Sequence, residues 1–177
     1  MSLAGDAPAP GVAVKLSLVW FFALGSLGCI FPFYSLFLAT EGGLSGAQVG
    51  VVMAVPALVS IFCQGPWGQL ADRTGARSRV VALLAIGTAV TCLALALPTH
   101  FAGFVIATAA MAIFSAAFIP NTMALTLAQI HDATGRLFGR IRVWGTIGFA
   151  ITVTSFPFLV AKWQEWTGGA AAGPTDP

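Results

Sequence analysis

Apolar residues run along this chain in long stretches broken by a few short polar joints. Lys15 and Glu41 bracket 25 residues without a formal charge, and Glu41 and Asp72 bracket 30. Arg79 and Asp132 bracket 52, with a turn-like break at Pro98, Thr99 and His100, and Arg142 and Lys162 bracket 19. A helix crossing the hydrocarbon core needs about 20 apolar residues, so these stretches hold one, one, two and one crossings. The pattern predicts an all-α membrane protein with five transmembrane helices near 16–38, 46–70, 80–97, 101–128 and 143–162. Residues 1–15 then form an N-terminal segment. Residues 163–177, Gly-, Ala- and Pro-rich from Thr167 onward, read as a disordered tail. The strands of a membrane barrel would alternate over ~10 residues, and no segment does so. The first stretch is too long, and preceded by too little charge, for a cleaved signal peptide.

Composition agrees. Of the 177 residues, 58% are hydrophobic and 8% charged, with a mean hydropathy of +0.91. Soluble domains carry about 25% charged residues, and this chain lacks the polar surface to cover a water-soluble globule. Its net charge of +2 gives no footprint for nucleic acid. The lipid bilayer is the partner the composition demands. Seven of the eight basic residues fall on one side of the predicted topology: Lys15, then Arg73, Arg77 and Arg79, then Arg136, Arg140 and Arg142. The positive-inside rule puts that side and the N-terminus in the cytoplasm. The C-terminus then lies outside a bacterial-type inner or plasma membrane.

Residues that carry chemistry are sparse. Cys29, Cys63 and Cys92 each fall inside a predicted helix without CxxC spacing, and read as small apolar packing residues. His100 and His131 occupy opposite loops and cannot share a metal. No glycine-rich phosphate loop, Ser/His/Asp set or paired carboxylate occurs. The reading therefore contains no enzyme activity, no cofactor and no metal.

The loop after the second helix is the most specific segment: Gly68-Gln69-Leu70-Ala71-Asp72-Arg73-Thr74-Gly75-Ala76-Arg77-Ser78-Arg79. Gly68 would let a neighbouring helix approach closely. Asp72 ends the helix, and Gly75 permits the positive φ of a tight reversal. Arg73, Arg77 and Arg79 can pair with Asp72 or with lipid phosphate. A loop that merely obeys the positive-inside rule explains the arginines, but not an acid and two glycines at this spacing. The start of the fifth helix carries a second run, Phe138-Gly139-Arg140-Ile141-Arg142-Val143-Trp144-Gly145-Thr146-Ile147-Gly148-Phe149, and the first helix carries Gly28-Cys29-Ile30-Phe31-Pro32-Phe33-Tyr34. The loop resembles the signature loop of the major facilitator superfamily. Together with the other two runs, the chain from about 16 to 162 resembles the branch of phenylpropionate permeases and nucleoside–proton symporters.

That resemblance implies a fold of two six-helix halves, each built of two inverted three-helix repeats, with the solute site near the bilayer midplane. Helices 1–3 would be one repeat and helices 4 and 5 the start of the next. Pro32 and Pro120, each near the end of its helix, give a faint internal echo and two flexing points. The family lines its cavity with helices 1 and 4. On helix 1, Trp20, Phe31 and Tyr34 fall within about 60° of one another at helical pitch, a face suited to an aromatic solute or to plain packing. On helix 4, Thr108, Ser115, Thr122 and Gln129 recur every seven residues with Thr126 on the same face. Such hydroxyls commonly bond their own i−4 carbonyl. Asn121 beside them and Gln64 on helix 2 carry amides that need partners in hydrocarbon. The candidate cavity residues are thus Trp20, Phe31, Tyr34, Gln64, Asn121 and Thr122. Gly25 and Gly28 on helix 1, Gly145 and Gly148 on helix 5, and the alanines of helix 4 form small-residue faces for close helix contact, and Arg140 and Arg142 complete the fifth-helix motif. Arg142 is placed to snorkel to the interface, and Trp163 and Trp166 fit the opposite aromatic belt.

The resemblance strains in two places. No Asp, Glu, Lys or His lies deep in a predicted span, whereas proton coupling ordinarily uses an intramembrane ionisable group. Relatives of this branch often carry a carboxylate after the helix 4 proline, where this chain has Asn121-Thr122-Met123. Second, five helices are fewer than the family's twelve. The expected function is part of a secondary active transporter moving a small organic solute by alternating access, an aromatic acid being one candidate and a proton a family-implied companion. Asp72 and its arginines would control the cytoplasmic gate, and a second chain would supply the missing helices. The other reading is a non-transporting truncated membrane protein, either a remnant or a structural partner of a separately encoded remainder.

Overall fold

The computed structural model describes residues 10–130 and 135–166. The described residues form five helices: α1 (Pro10–Thr40), α2 (Gly46–Thr74), α3 (Arg77–Ala94), α4 (Phe101–Ile130) and α5 (Arg136–Trp166). All five are long and apolar enough to cross a membrane, and no strand occurs among the described residues. The protein is an integral membrane protein. Expectations for residues 1–9, for His131 and for the run 167–177 fall outside the described residues.

The helices overrun the apolar stretches at several ends, because charge limits what hydrocarbon holds and not where a helix stops. Arg and Lys are good helix formers, so α2 carries Asp72 and Arg73, and α5 begins at Arg136. α5 also continues through Trp166, taking in the first residues assigned to the tail. No helix breaker intervenes before Gly168. α2 opens with a capping box, in which the Ser45 side chain accepts from the Gln48 backbone and the Gln48 side chain accepts from the Ser45 N–H. It closes on Gly75 at φ +65°, a left-handed position that glycine takes without steric cost. α3 ends at Ala94, three residues short of the apolar run. Leu95, Ala96 and Leu97 continue as i→i+3 turns before Pro98, since the residue ahead of a proline is steered away from helix.

The bundle is organised around α1 and α4. Over an apolar 18-residue stretch of each, 28% of the residues are buried, against 6% for the corresponding stretch of α2. α4 packs along both α2 and α3, and α1 packs along α5. α1 meets α2 and α4 only sparsely and makes no close backbone contact with α3. One buried cluster joins Tyr34, Leu38, Val52, Leu95, Phe104 and Met111, and a second joins Leu16, Trp20, Ile130 and Ile141. The third, around Ala71, Val80, Leu84 and Ala117, locks α3 onto α4.

Glycine decides the α1–α5 contact. A Cβ on Gly148 would overlap the Phe21 carbonyl, and one on Gly145 would stand 2.6 Å from Leu24 Cδ1 and 3.0 Å from the Trp20 carbonyl. From the other side, a Cβ on Gly28 would lie 3.0 Å from the Phe149 carbonyl and 3.3 Å from Thr152 Cβ. The two backbones therefore touch, as they do where small residues drive helix association in membranes.

Candidate functional site

The candidate residues separate into a buried seam between α1 and α4, an exposed pair, and the α2–α3 joint. In the seam, Trp20 Nε1 donates to Thr126 Oγ1 at 3.0 Å, and the Thr126 hydroxyl donates to the Thr122 carbonyl at 2.7 Å. Farther along, the Tyr34 hydroxyl meets Thr108 Oγ1. Thr108 already donates to the Phe104 carbonyl at 2.6 Å, so Tyr34 is the donor of that bond. Trp20 is 1% exposed and Tyr34 8%. The ring of Phe138 stands edge-on to Trp20, and the Arg142 guanidinium lies 5.9 Å from the Trp20 ring centroid, a cation–π distance. Asn121, also buried, donates from Nδ2 to the Ala117 carbonyl of its own helix at 2.8 Å, and Thr122 donates to the Phe118 carbonyl.

Phe31 is not with them. It is 69% exposed, although the helical wheel sets it close in angle to Trp20. Direction from a helix axis does not bury a side chain; a neighbour at the same height does. The start of α5 and the end of α4 cover α1 at Trp20, the start of α4 covers it at Tyr34, and no described helix covers Phe31. The aromatic face on which an aromatic solute rested is thus divided, with two of its three rings taken into interhelical bonding.

Gln64 is exposed on α2, and its Nε2 donates to the Ala116 carbonyl of α4 at 3.2 Å. Pro120 has no N–H to offer the carbonyl four residues back, and that carbonyl is Ala116. Gln64 thus satisfies an acceptor that the proline leaves open. Trp67, one turn on, donates from Nε1 to the Ile113 carbonyl at 2.9 Å and packs against Phe114. Trp67 was not among the residues singled out from sequence. Its three-residue spacing from Gln64 was the available signal.

At the α2–α3 joint, Arg77 donates to Asp72 Oδ1 at 3.0 Å, with side chains 40% and 68% exposed. The reversal between them is made at Gly75, and the Thr74 hydroxyl donates back to the Leu70 carbonyl. Arg73 and Arg79 are exposed. A Cβ on Gly68 would meet nothing within 4 Å, so no described helix makes the close approach that its glycine allows. Among the described residues no group of His, Cys, Asp or Glu side chains could hold a metal, and the three cysteines are unpaired.

The family described as MFS_1-like matches residues 13–167. The chain belongs to this family. The maltose permease of Geobacillus stearothermophilus is 34% identical to it over 144 residues, 80% of this chain and 36% of the permease. An uncharacterized transporter of Bacillus subtilis is 33% identical over 134 residues, 76% of this chain and 33% of that protein. A putative nucleoside transporter of Escherichia coli is 30% identical over 145 residues, 82% and 34% of the two chains. This MFS_1-like chain thus spans about a third of the length of the curated relatives it matches, and those relatives are transporters rather than enzymes. No solved structure matches the chain significantly.

Proposed function

We propose that this chain is part of a secondary active transporter that moves a small organic solute across a bacterial-type inner membrane by alternating access. Its N-terminus faces the cytoplasm, and helices beyond these five complete the pathway. The Asp72–Arg77 pair at the α2–α3 joint is the observation that carries the reading. An exposed ion pair contributes about 0–1 kcal/mol, so it holds the joint without locking it. Asp72 can exchange Arg77 for another donor when one repeat rocks against the rest, and Gly75 lets the chain reverse between two spans at that point. These are the requirements of a cytoplasmic gate. The permease and transporter relatives support the general role, and their solutes, by name a sugar and a nucleoside, favour neutral polar solutes. The divided aromatic face gives an aromatic acid no particular support. The spans hold no carboxylate, lysine or histidine deep in the bilayer, so a co-transported proton would need its carrier in other helices.

Membrane vesicles from cells producing the chain in its native membrane test this, with labelled maltose and uridine heading a panel of neutral solutes. Saturable uptake that disappears on deletion, and falls at least tenfold in Asp72→Asn at an unchanged level of inserted chain, is the expected result. Wild-type uptake by Asp72→Asn removes the gate, and uptake indifferent to deletion removes the transporter.

A further inference from the structure

Five prolines lie inside the described helices: Pro32 in α1, Pro56 and Pro66 in α2, Pro120 in α4 and Pro157 in α5. Each lacks the N–H that the carbonyl four residues back would accept, and its ring presses on that carbonyl. The carbonyls released are those of Gly28, Val52, Phe62, Ala116 and Val153. Among the described side chains, one reaches such a carbonyl: Gln64, on Ala116 of a different helix.

The segment ahead of Pro120 is held at further points. Trp67 of α2 donates to the Ile113 carbonyl, Asn121 to that of Ala117 and Thr122 to that of Phe118. Two of these four donors, Gln64 and Trp67, come from α2. The Trp67 ring also lies 5.8 Å from that of Phe114, which fills the space a Cβ on Gly87 of α3 would take. Pro120 divides the α1–α4 seam as well. Thr108, which holds Tyr34, lies on the arm before the proline, and Thr126, which holds Trp20, lies on the arm after it. From Trp67, α2 runs on within two turns to Asp72 and its bond to Arg77. One helix thus bears an end of the gate pair and both outside donors to the α4 bend. The arm beyond that bend bears one of the two attachments of α1. A carbonyl released in hydrocarbon has no water to turn to, so the Ala116 carbonyl stays satisfied while α2 keeps Gln64 within reach.

We propose that Gln64 and Trp67 are a clamp through which α2 sets the bend of α4 at Pro120, and that movement at the α2–α3 joint reaches α1 by this route, through Thr126 and Trp20. Gln64 is then a positioning residue and not a contact of the solute. The clamp stands on the bonds described; its part in transport rests on the reading that the chain is part of a transporter.

Distances between pairs of nitroxide labels in the native membrane test the clamp. Cys29, Cys63 and Cys92 are first replaced by alanine. One label is placed through Ile61→Cys on α2, and the second through Leu127→Cys, beyond Pro120, or Ile106→Cys, before it; all three side chains are exposed. Gln64→Met keeps the length of the side chain and removes the donor. It is expected to widen the 61–127 distance distribution about twofold, since a proline kink no longer held leaves the arm beyond it free to swing, and to leave 61–106 unchanged. Trp67→Phe keeps a ring against Phe114, removes the other donor, and is expected to widen 61–127 as well. Adding Pro120→Ala to Gln64→Met gives the Ala116 carbonyl a backbone N–H again, and is expected to restore the narrow distribution. A 61–127 distribution that either single substitution leaves unchanged overturns the two-point clamp, and so does one that Pro120→Ala fails to narrow. Equal widening of 61–106 means that α2 and α4 have separated along their whole length, and overturns it too. A distribution widened and restored as expected, in vesicles without solute uptake, would leave the clamp standing and remove the transporter. An unchanged distribution with intact uptake would do the reverse.

Discussion

The two flanks of α1 both display small residues, yet they end differently. Toward α5, Gly25, Gly28, Gly145 and Gly148 are consumed in a contact so close that a single Cβ on Gly148 would collide with the Phe21 carbonyl. Toward α3, Ala82, Ala85 and Ala89 of the facing wall look across an open cleft, and α1 and α3 make no close backbone contact. A small-residue face therefore states how near a neighbour can come without stating that a neighbour is present. In lipid this matters more than in water, because apolar surface gains little by leaving a solvent that is itself apolar. Packing quality, and not burial, has to hold the α1–α5 pair.

The contrast is best broken from its closed side. Gly148→Leu drives a side chain into the Phe21 carbonyl, and should destabilise the chain by about 3 kcal/mol or more, read as loss of the folded fraction in an SDS titration. Ala85→Leu, in the open cleft, should stay within about 0.5 kcal/mol in the same titration of the purified chain. Equal costs for the two would erase the distinction between the flanks. Gly28→Ala is milder, because its Cβ stops 3.0 Å from the Phe149 carbonyl, and should cost about 1–3 kcal/mol. Tyr34→Phe removes one interhelical bond of the α1–α4 seam and should cost about 0.6–1.7 kcal/mol, with Trp20 fluorescence unchanged because its own bond to Thr126 remains. Asp72→Asn should also be small, at most about 1 kcal/mol of stability, even though its effect on uptake is the large one. A stability loss there comparable to that of Gly148→Leu would make Asp72 a packing residue.

Much of this architecture is legible in the order of residues. Charge spacing locates five spans, since a hydrocarbon core tolerates few formal charges, and the α2–α3 joint can be read from Asp72, Gly75 and Arg77 directly because it is local. The pairing of Gly25 and Gly28 with Gly145 and Gly148 is visible only as two separate small-residue faces. Nothing in the sequence says that the faces meet. Burial along α1 is less legible still. Trp20, Phe31 and Tyr34 share a side of the wheel, and only the heights of α4 and α5 decide that the first and last are buried and the middle one is not. Gln64 shows the other kind of gap. Pro120 announces a free carbonyl at Ala116, but which side chain reaches it depends on how α2 lies along α4.

Everything about α1 turns on its being closed toward α5 and open toward α3, and paired cysteines read that asymmetry directly. In a chain freed of its native cysteines, Gly28→Cys with Thr152→Cys places two Cβ atoms about 3.3 Å apart, close to the spacing a disulfide needs. Phe22→Cys with Ala85→Cys spans the cleft. Under mild oxidation in the native membrane, the first pair is predicted to cross-link nearly completely and the second not at all. Cross-linking of Phe22→Cys with Ala85→Cys, or failure of Gly28→Cys with Thr152→Cys, would contradict the packing described for α1.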